Sequence, residues 1–147
     1  MPDIATIASA LAARFAAAQM TAPTGYDAVR MSTHLLPNQL PPTPCVLVFA
    51  DAGTFRTGAG TRLGEQSWIV RFYYDQAADM SRGTAALLAW ASVLCDQLQG
   101  AVQLGGSVSS ARVDAWKIGT LTYAGSDYFG IELSVTTVST EGWAAVA

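Results

Sequence analysis

The 147-residue chain suits one domain (residues 1–147) of 15.4 kDa that buries roughly two-thirds of its extended-chain surface without disulfides. With a formal net charge of −3 and eight scattered basic residues, it has no electrostatic footprint for gripping nucleic acid. Charged residues make up only 13% against 51% hydrophobic, about half the usual charged fraction. Two readings of that thin polar coat stand, a large core or surface that meets other subunits, and the second is favoured because open apolar surface invites association.

At the N-terminus, Ile4, Ile7, Ala8, Leu11, Phe15 and Ala18 fall on one stripe of a helix that Asp3 can begin, rich in the alanines that favour helix. Arg14 interrupts the apolar run a signal peptide needs, and no positive segment precedes it, so a soluble chain made in a cytoplasm is expected. Residues 21–25 break the helix. Residues 26–33 then alternate Asp27, Val29, Met31 against Tyr26, Ala28, Arg30, which predicts a first strand. Residues 35–44 hold four prolines, Pro37, Pro41, Pro42 and Pro44, and read as an extended connector. Residues 45–50 are a short apolar strand.

Residues 51–66 carry Gly53, Gly58, Gly60 and Gly64 and read as a long hairpin loop, far above the two to five residues a hairpin needs. Two readings stand: a mobile loop, or a projecting arm in which Phe55, Arg56, Arg62 and Leu63 become ordered against a partner. Residues 67–74 alternate Trp68, Val70, Phe72 and Tyr74 with Ser67, Ile69, Arg71 and Tyr73. Aromatics on both faces predict a central strand whose second face is also covered.

A helix follows, able to start at Asp79 or Ser81 and to end at Gly100. Its apolar stripe holds Leu87, Leu88, Trp90, Ala91, Leu94, Cys95 and Leu98, with Arg82, Ala86, Ser92, Asp96 and Gln99 outside. After a connector at 101–110, residues 112–123 and 128–140 predict a hairpin about Ala124-Gly125-Ser126-Asp127, with a bulge near Trp116 where the apolar parity shifts. The tail, Glu141 to Ala147, is apolar for a free end and either frays or docks Trp143 on a neighbour. The order α-β-β-β-α-β-β predicts an α+β fold: a mostly antiparallel sheet of about five strands, two helices packed against it, and the long hairpin loop as an arm.

Chemical signatures are thin. In Gly58-Ala59-Gly60-Thr61-Arg62-Leu63-Gly64 the third glycine comes one place late for a dinucleotide loop, and no Lys-Ser/Thr pair follows for a Walker loop. His34 is the single histidine, and with two distant cysteines, Cys45 and Cys95, it makes neither a metal set nor a triad. Buried free thiols are the default reading of both cysteines. Carboxylates from Asp51, Asp75, Asp79 and Glu132 could be assembled only by folding. No catalytic, cofactor or metal residue is therefore assigned.

The ordered elements resemble the tail terminator proteins of long-tailed bacteriophages. The similarity rests on the helix through Phe15, the strand Pro44-Cys45-Val46-Leu47-Val48, the strand from Trp68 to Tyr74, the helix from Leu87 to Leu98, and the ending from Tyr123-Ala124-Gly125-Ser126-Asp127-Tyr128-Phe129-Gly130 to Val135. It spans nearly the whole chain as a pattern, without a diagnostic motif. The resemblance implies a non-enzymatic virion protein of the tail and neck, assembled in the bacterial host cytoplasm. It would form a homo-hexameric ring on the head-proximal end of the tail tube, stop tube polymerisation, and join tail to head-completion or stopper proteins. Genomic DNA would pass its lumen without sequence-specific binding, and neither cofactor nor membrane is implied. The interface residues Phe55, Arg56, Arg62, Leu63 and Trp143 come from this chain alone, since a closed ring needs a heterologous contact. Alternatives are a tail-tube or other neck subunit, and a small ligand-binding or acid/base enzyme domain.

Overall fold

The computed structural model of the chain describes residues 4–58, 61–76, 80–99, 104 and 108–142. In chain order the elements are α1 (Ile4–Arg14), β1 (Met31–Thr33), β2 (Cys45–Gly58), β3 (Thr61–Gln76), α2 (Met80–Asp96), β4 (Ser110–Tyr123) and β5 (Ser126–Gly142). The strands form one five-stranded sheet in the order β1-β2-β3-β5-β4. Only β1 with β2 is parallel; the other three pairings are antiparallel. The fold is the expected α+β arrangement, with β3 in the centre.

Both helices cover the same face of the sheet. Ile7, Leu11 and Phe15 of the α1 region and Leu87, Trp90 and Leu94 of α2 share one buried cluster with Val46, Val48, Trp68, Val70, Phe72, Ile131, Leu133 and Val135. Phe72 and Trp90 meet with ring centroids 4.7 Å apart. Arg14 ties the helices together by donating from Nε to the Gln97 carbonyl at 2.8 Å, a favourable place for a cation at the end of α2. The α1 stripe is shorter than expected, because Ile4 and Ala18 at its two ends are exposed.

The α2 stripe is rotated from the expected one. Ala86 is fully buried and Leu88 is 57% exposed. The turn of helix at Gly83 sets the rotation: a Cβ there would lie 2.5 Å from the Phe129 ring, so the backbone itself packs on β5 and the buried stripe runs Gly83, Ala86, Leu87, Trp90, Leu94. The expected caps at Asp79 and Gly100 lie outside the described residues.

Two strand boundaries also differ. The expected strand at 26–33 shrinks to Met31–Thr33, because its parallel partner begins at Cys45, opposite Met31. Preceding residues would face Pro44, Pro42 and Pro41, which have no N–H to give. Of residues 51–66, 51–58 and 61–66 are strand and not loop: β2 and β3 stay paired from Ala52↔Ser67 to Gly58↔Thr61. β5 runs beside β3 over the same length, up to Thr61↔Gly142. A three-stranded ribbon needs no apolar alternation to satisfy its backbone, so the usual strand signal is missing there. The bulge in β4 lies between Val113 and Ala115, just before the expected place.

Candidate interaction surface

Beyond the β2 bulge the outer parts of β2, β3 and β5 stay paired as a three-stranded arm. Residues 51–57 are exposed throughout. Phe55 pairs with Gly64 and therefore sits on the helix-side face of the sheet; Arg56 pairs with Leu63 on the opposite face. Phe55 remains 51% exposed, with its ring over Gly64, where an added Cβ would lie 3.1 Å from Phe55 Cε1. Arg56 is exposed and Leu63 half-buried. Arg62 is held by backbone pairing to Thr57 and Glu141, while its side chain and the whole of Trp143 lie outside the described residues. The arm thus carries Phe55 on one face and Arg56 with Leu63 on the other, so the expected interface residues do not form a single patch.

Sequence reasoning missed what stiffens the root of this arm. Thr137 Oγ1 donates to Gln66 Oε1 at 2.8 Å and accepts from Trp68 Nε1 at 2.9 Å, and Gln66 Nε2 donates to Ser139 Oγ at 3.2 Å. Gln66, Thr137 and Ser139 are 4%, 0% and 1% exposed, so the apolar core continues outward as a fully partnered polar ladder. Such networks fix one arrangement because each lost partner strands another buried group. The available signal was the alignment of Gln66 with Thr137 and Gly64 with Ser139 across β3 and β5, which needs the register.

At the foot of the arm lies a mainly apolar notch of about 250 Å³ lined by Ile4, Ala50, Ala52, Gly53, Phe55 and Trp68, with Asp51, Gln66 and Ser67 at its polar margin. At the far edge of the sheet Trp116 of β4 pairs with Leu133 on this same face and is 54% exposed.

The opposite face carries a smaller cluster of Cys45, Leu47 and Tyr73, closed by Leu40 of the proline connector, Leu121, Tyr123 and Tyr128. Tyr123 Oη donates to the Pro37 carbonyl, pinning the connector to the sheet. Burial pushes the Cys45 thiol up to about 12 and raises the Tyr73 phenol, an effect only partly offset by the Arg71 guanidinium. Farther along this face Arg71 bonds Glu132 at 3.0 Å and lies over the Phe49 ring. Cys95 packs against the helix-side core, so the sheet separates the two free thiols.

The carboxylates considered from sequence do not converge. Asp51 sits at the β2 bulge beside Trp68 and Ser67, Glu132 opposite Arg71, and Asp75 opposite Phe129. These points are spaced along β3 by about 13 Å each, and Asp79 lies outside the described residues. Asp75 instead lines a polar cleft with Tyr26, Asp27, Arg30 and Tyr74. Gly58 ends β2 and Thr61 to Gly64 open β3, so the described residues of this glycine-bearing stretch offer no helix N-terminus to a phosphate. Among the described residues no group of three His, Cys, Asp or Glu side chains could hold a metal ion, and no helix is long and apolar enough to cross a membrane. No protein-family model matches the chain, and no curated protein matches it.

Proposed function

We propose that this chain is a structural virion subunit similar to phage tail terminators. In this reading it closes into a homo-hexameric ring on the head-proximal end of the tail tube, ends tube growth, and joins tail to head-completion proteins. The observation that carries it is the arm: a three-stranded ribbon stiffened by buried hydrogen bonds, with Phe55 and Arg56 exposed on its two faces. A rigid projection with an exposed aromatic suits a heterologous contact between copies. The other exposed large apolar side chains, among them Leu35, Leu36, Leu88 and Trp116, fit a subunit walled in by neighbours. The mild acidic excess suits a lumen through which DNA passes without being held.

A tail-tube or other neck subunit shares these features and differs in stacking without end. The polar cleft with Tyr26, Tyr74, Asp27, Arg30 and Asp75 favours a second reading, a small-ligand domain. Light scattering with electron microscopy separates the three. Closed rings that bind one end of purified tubes support the terminator; open polymers support a tube subunit; a monomer that saturably binds a small ligand supports the third.

A further inference from the structure

We infer that copies of this chain join edge to edge, with β4 of one copy pairing antiparallel to the arm segment of β2 in the next, and Trp116 entering the notch at the foot of that arm. The inference rests on the self-association in the reading above, but not on closure at six.

The strand directions permit it. Leaving aside the three-residue β1, the sheet is a four-stranded antiparallel ribbon, β2-β3-β5-β4. With an even number of strands, its two edge strands run in opposite directions. Setting β4 of one copy beside β2 of the next therefore continues the alternation and keeps the helices of both copies on one side. The contact is head to tail, the kind that builds rings or chains.

Both edges are available. β1 covers β2 only at Cys45, Val46 and Leu47, and among the described residues no strand lies outside β2 beyond that point or outside β4. Long bare edges are templates for pairing unless charge, proline or a bulge interrupts them. Each edge has its bulge at one end of the stretch concerned, between Ala50 and Ala52 and between Val113 and Ala115. The regular segments beyond the bulges contain no proline and one charge each, Arg56 and Lys117.

The side chains set the register. Phe55 and Trp116 lie on the same face of the sheet, one on each edge, as their partners Gly64 and Leu133 show. Placing them opposite each other puts Arg56 across from Ala115, Thr54 from Lys117, Gly53 from Ile118 and Ala52 from Gly119, so no like charges are opposed. Trp116 is then diagonal to Gly53, within reach of a large aromatic side chain. Gly53 contributes no side chain there, which leaves the notch open on that side. At about 250 Å³ the notch is below the usual size of small-molecule pockets and suits one side chain. A half-exposed tryptophan seated in an apolar recess is the usual form of an interface anchor.

Two singly substituted full-length proteins, Thr54→Cys and Lys117→Cys, each in a Cys95→Ser background, are mixed under mild oxidation. The expected result is a disulfide-linked dimer formed from the mixture and from neither protein alone. Trp116→Ala should abolish that link and weaken self-association about tenfold or more, while circular dichroism and the melting temperature stay unchanged. Closed rings without the mixed link, and insensitive to Trp116→Ala, overturn the edge pairing and leave the ring reading standing. Open chains carrying the link support the edge pairing and overturn ring closure. A monomer at every concentration, without the link, overturns both.

Discussion

Thr137 and Gln66, 71 positions apart in sequence, meet on the helix-side face through a 2.8 Å hydrogen bond in which the threonine hydroxyl donates to the glutamine carbonyl oxygen. The same hydroxyl accepts from Trp68, so one oxygen joins the apolar core to the arm. Thr137→Val keeps the shape and removes both bonds. Leaving the Trp68 N–H and the Gln66 carbonyl unpartnered is expected to cost about 2 kcal/mol, lowering the melting temperature by roughly 4–8 °C for a chain of this size. Differential scanning calorimetry checks it; an unchanged melting temperature would mean that the ladder contributes nothing.

Gly119 and Gly130 face each other across β4 and β5, yet substitution should separate them. A Cβ on Gly130 would lie 2.4 Å from Leu121 Cδ1 and 2.6 Å from the Phe72 carbonyl oxygen, whereas a Cβ on Gly119 meets nothing within 4 Å. The backbone oxygen cannot swing aside as a side chain can. Gly130→Ala is therefore expected to destabilise by about 2 kcal/mol or more, and Gly119→Ala to be neutral or slightly stabilising, since alanine in a strand avoids glycine's entropy cost. Urea denaturation of the two variants makes the comparison.

Alkaline pH should weaken the fold through the cluster on the other face. The Cys45 thiol is raised from 9.0 to about 12 by burial, so the unfolded chain loses this proton first. The stabilisation is complete below about pH 9 and is lost as pH rises toward 12, with a slope of up to about 1.4 kcal/mol per pH unit. The raised Tyr73 phenol acts in the same direction above its ordinary value of 10.0. Urea midpoints from pH 8 to 11 should fall less steeply for Cys45→Ala than for the unmodified chain.

The helix-side face of the sheet was only partly legible in sequence. The Trp68 to Phe72 strand, the hairpin at Ala124-Gly125 and both helices follow from periodicity, because each buries one side, and Ala124 and Gly125 supply the two positive φ angles of 51° and 84° that a tight turn needs. An arm at 51–66 was one of two readings, but its strands were hidden because they bury hydrogen bonds in place of apolar side chains: Gln66, Thr137 and Ser139 look like surface residues until β3 and β5 are aligned. The α2 rotation was hidden for a related reason. Gly83 packs by lacking a side chain, and periodicity weighs side chains that are present. Phe55, Arg56 and Leu63 were grouped in sequence by the length of the connection alone, and the structure puts all three in the paired part of β2 and β3; Trp116 was read as a bulge marker and its exposure was not foreseen.

Exposed arm residues should matter for association and not for folding. Phe55→Ser and Arg56→Glu replace exposed side chains, so each should shift stability by no more than about 0.5 kcal/mol. Self-association measured by sedimentation velocity should weaken, more for Phe55→Ser because aromatic anchors dominate such contacts. Equal loss of fold and assembly would place these residues in the subunit's own core instead.

Closure into a ring is what separates the proposed terminator from a tube subunit and from a small-ligand domain. Light scattering of the full-length protein over a wide concentration range, with negative-stain imaging in the presence of tail tubes, tests it most directly. A discrete species near six times 15.4 kDa, seen as rings at one end of each tube, is the expected result. A protein that stays monomeric at every concentration and leaves both tube ends bare would contradict it.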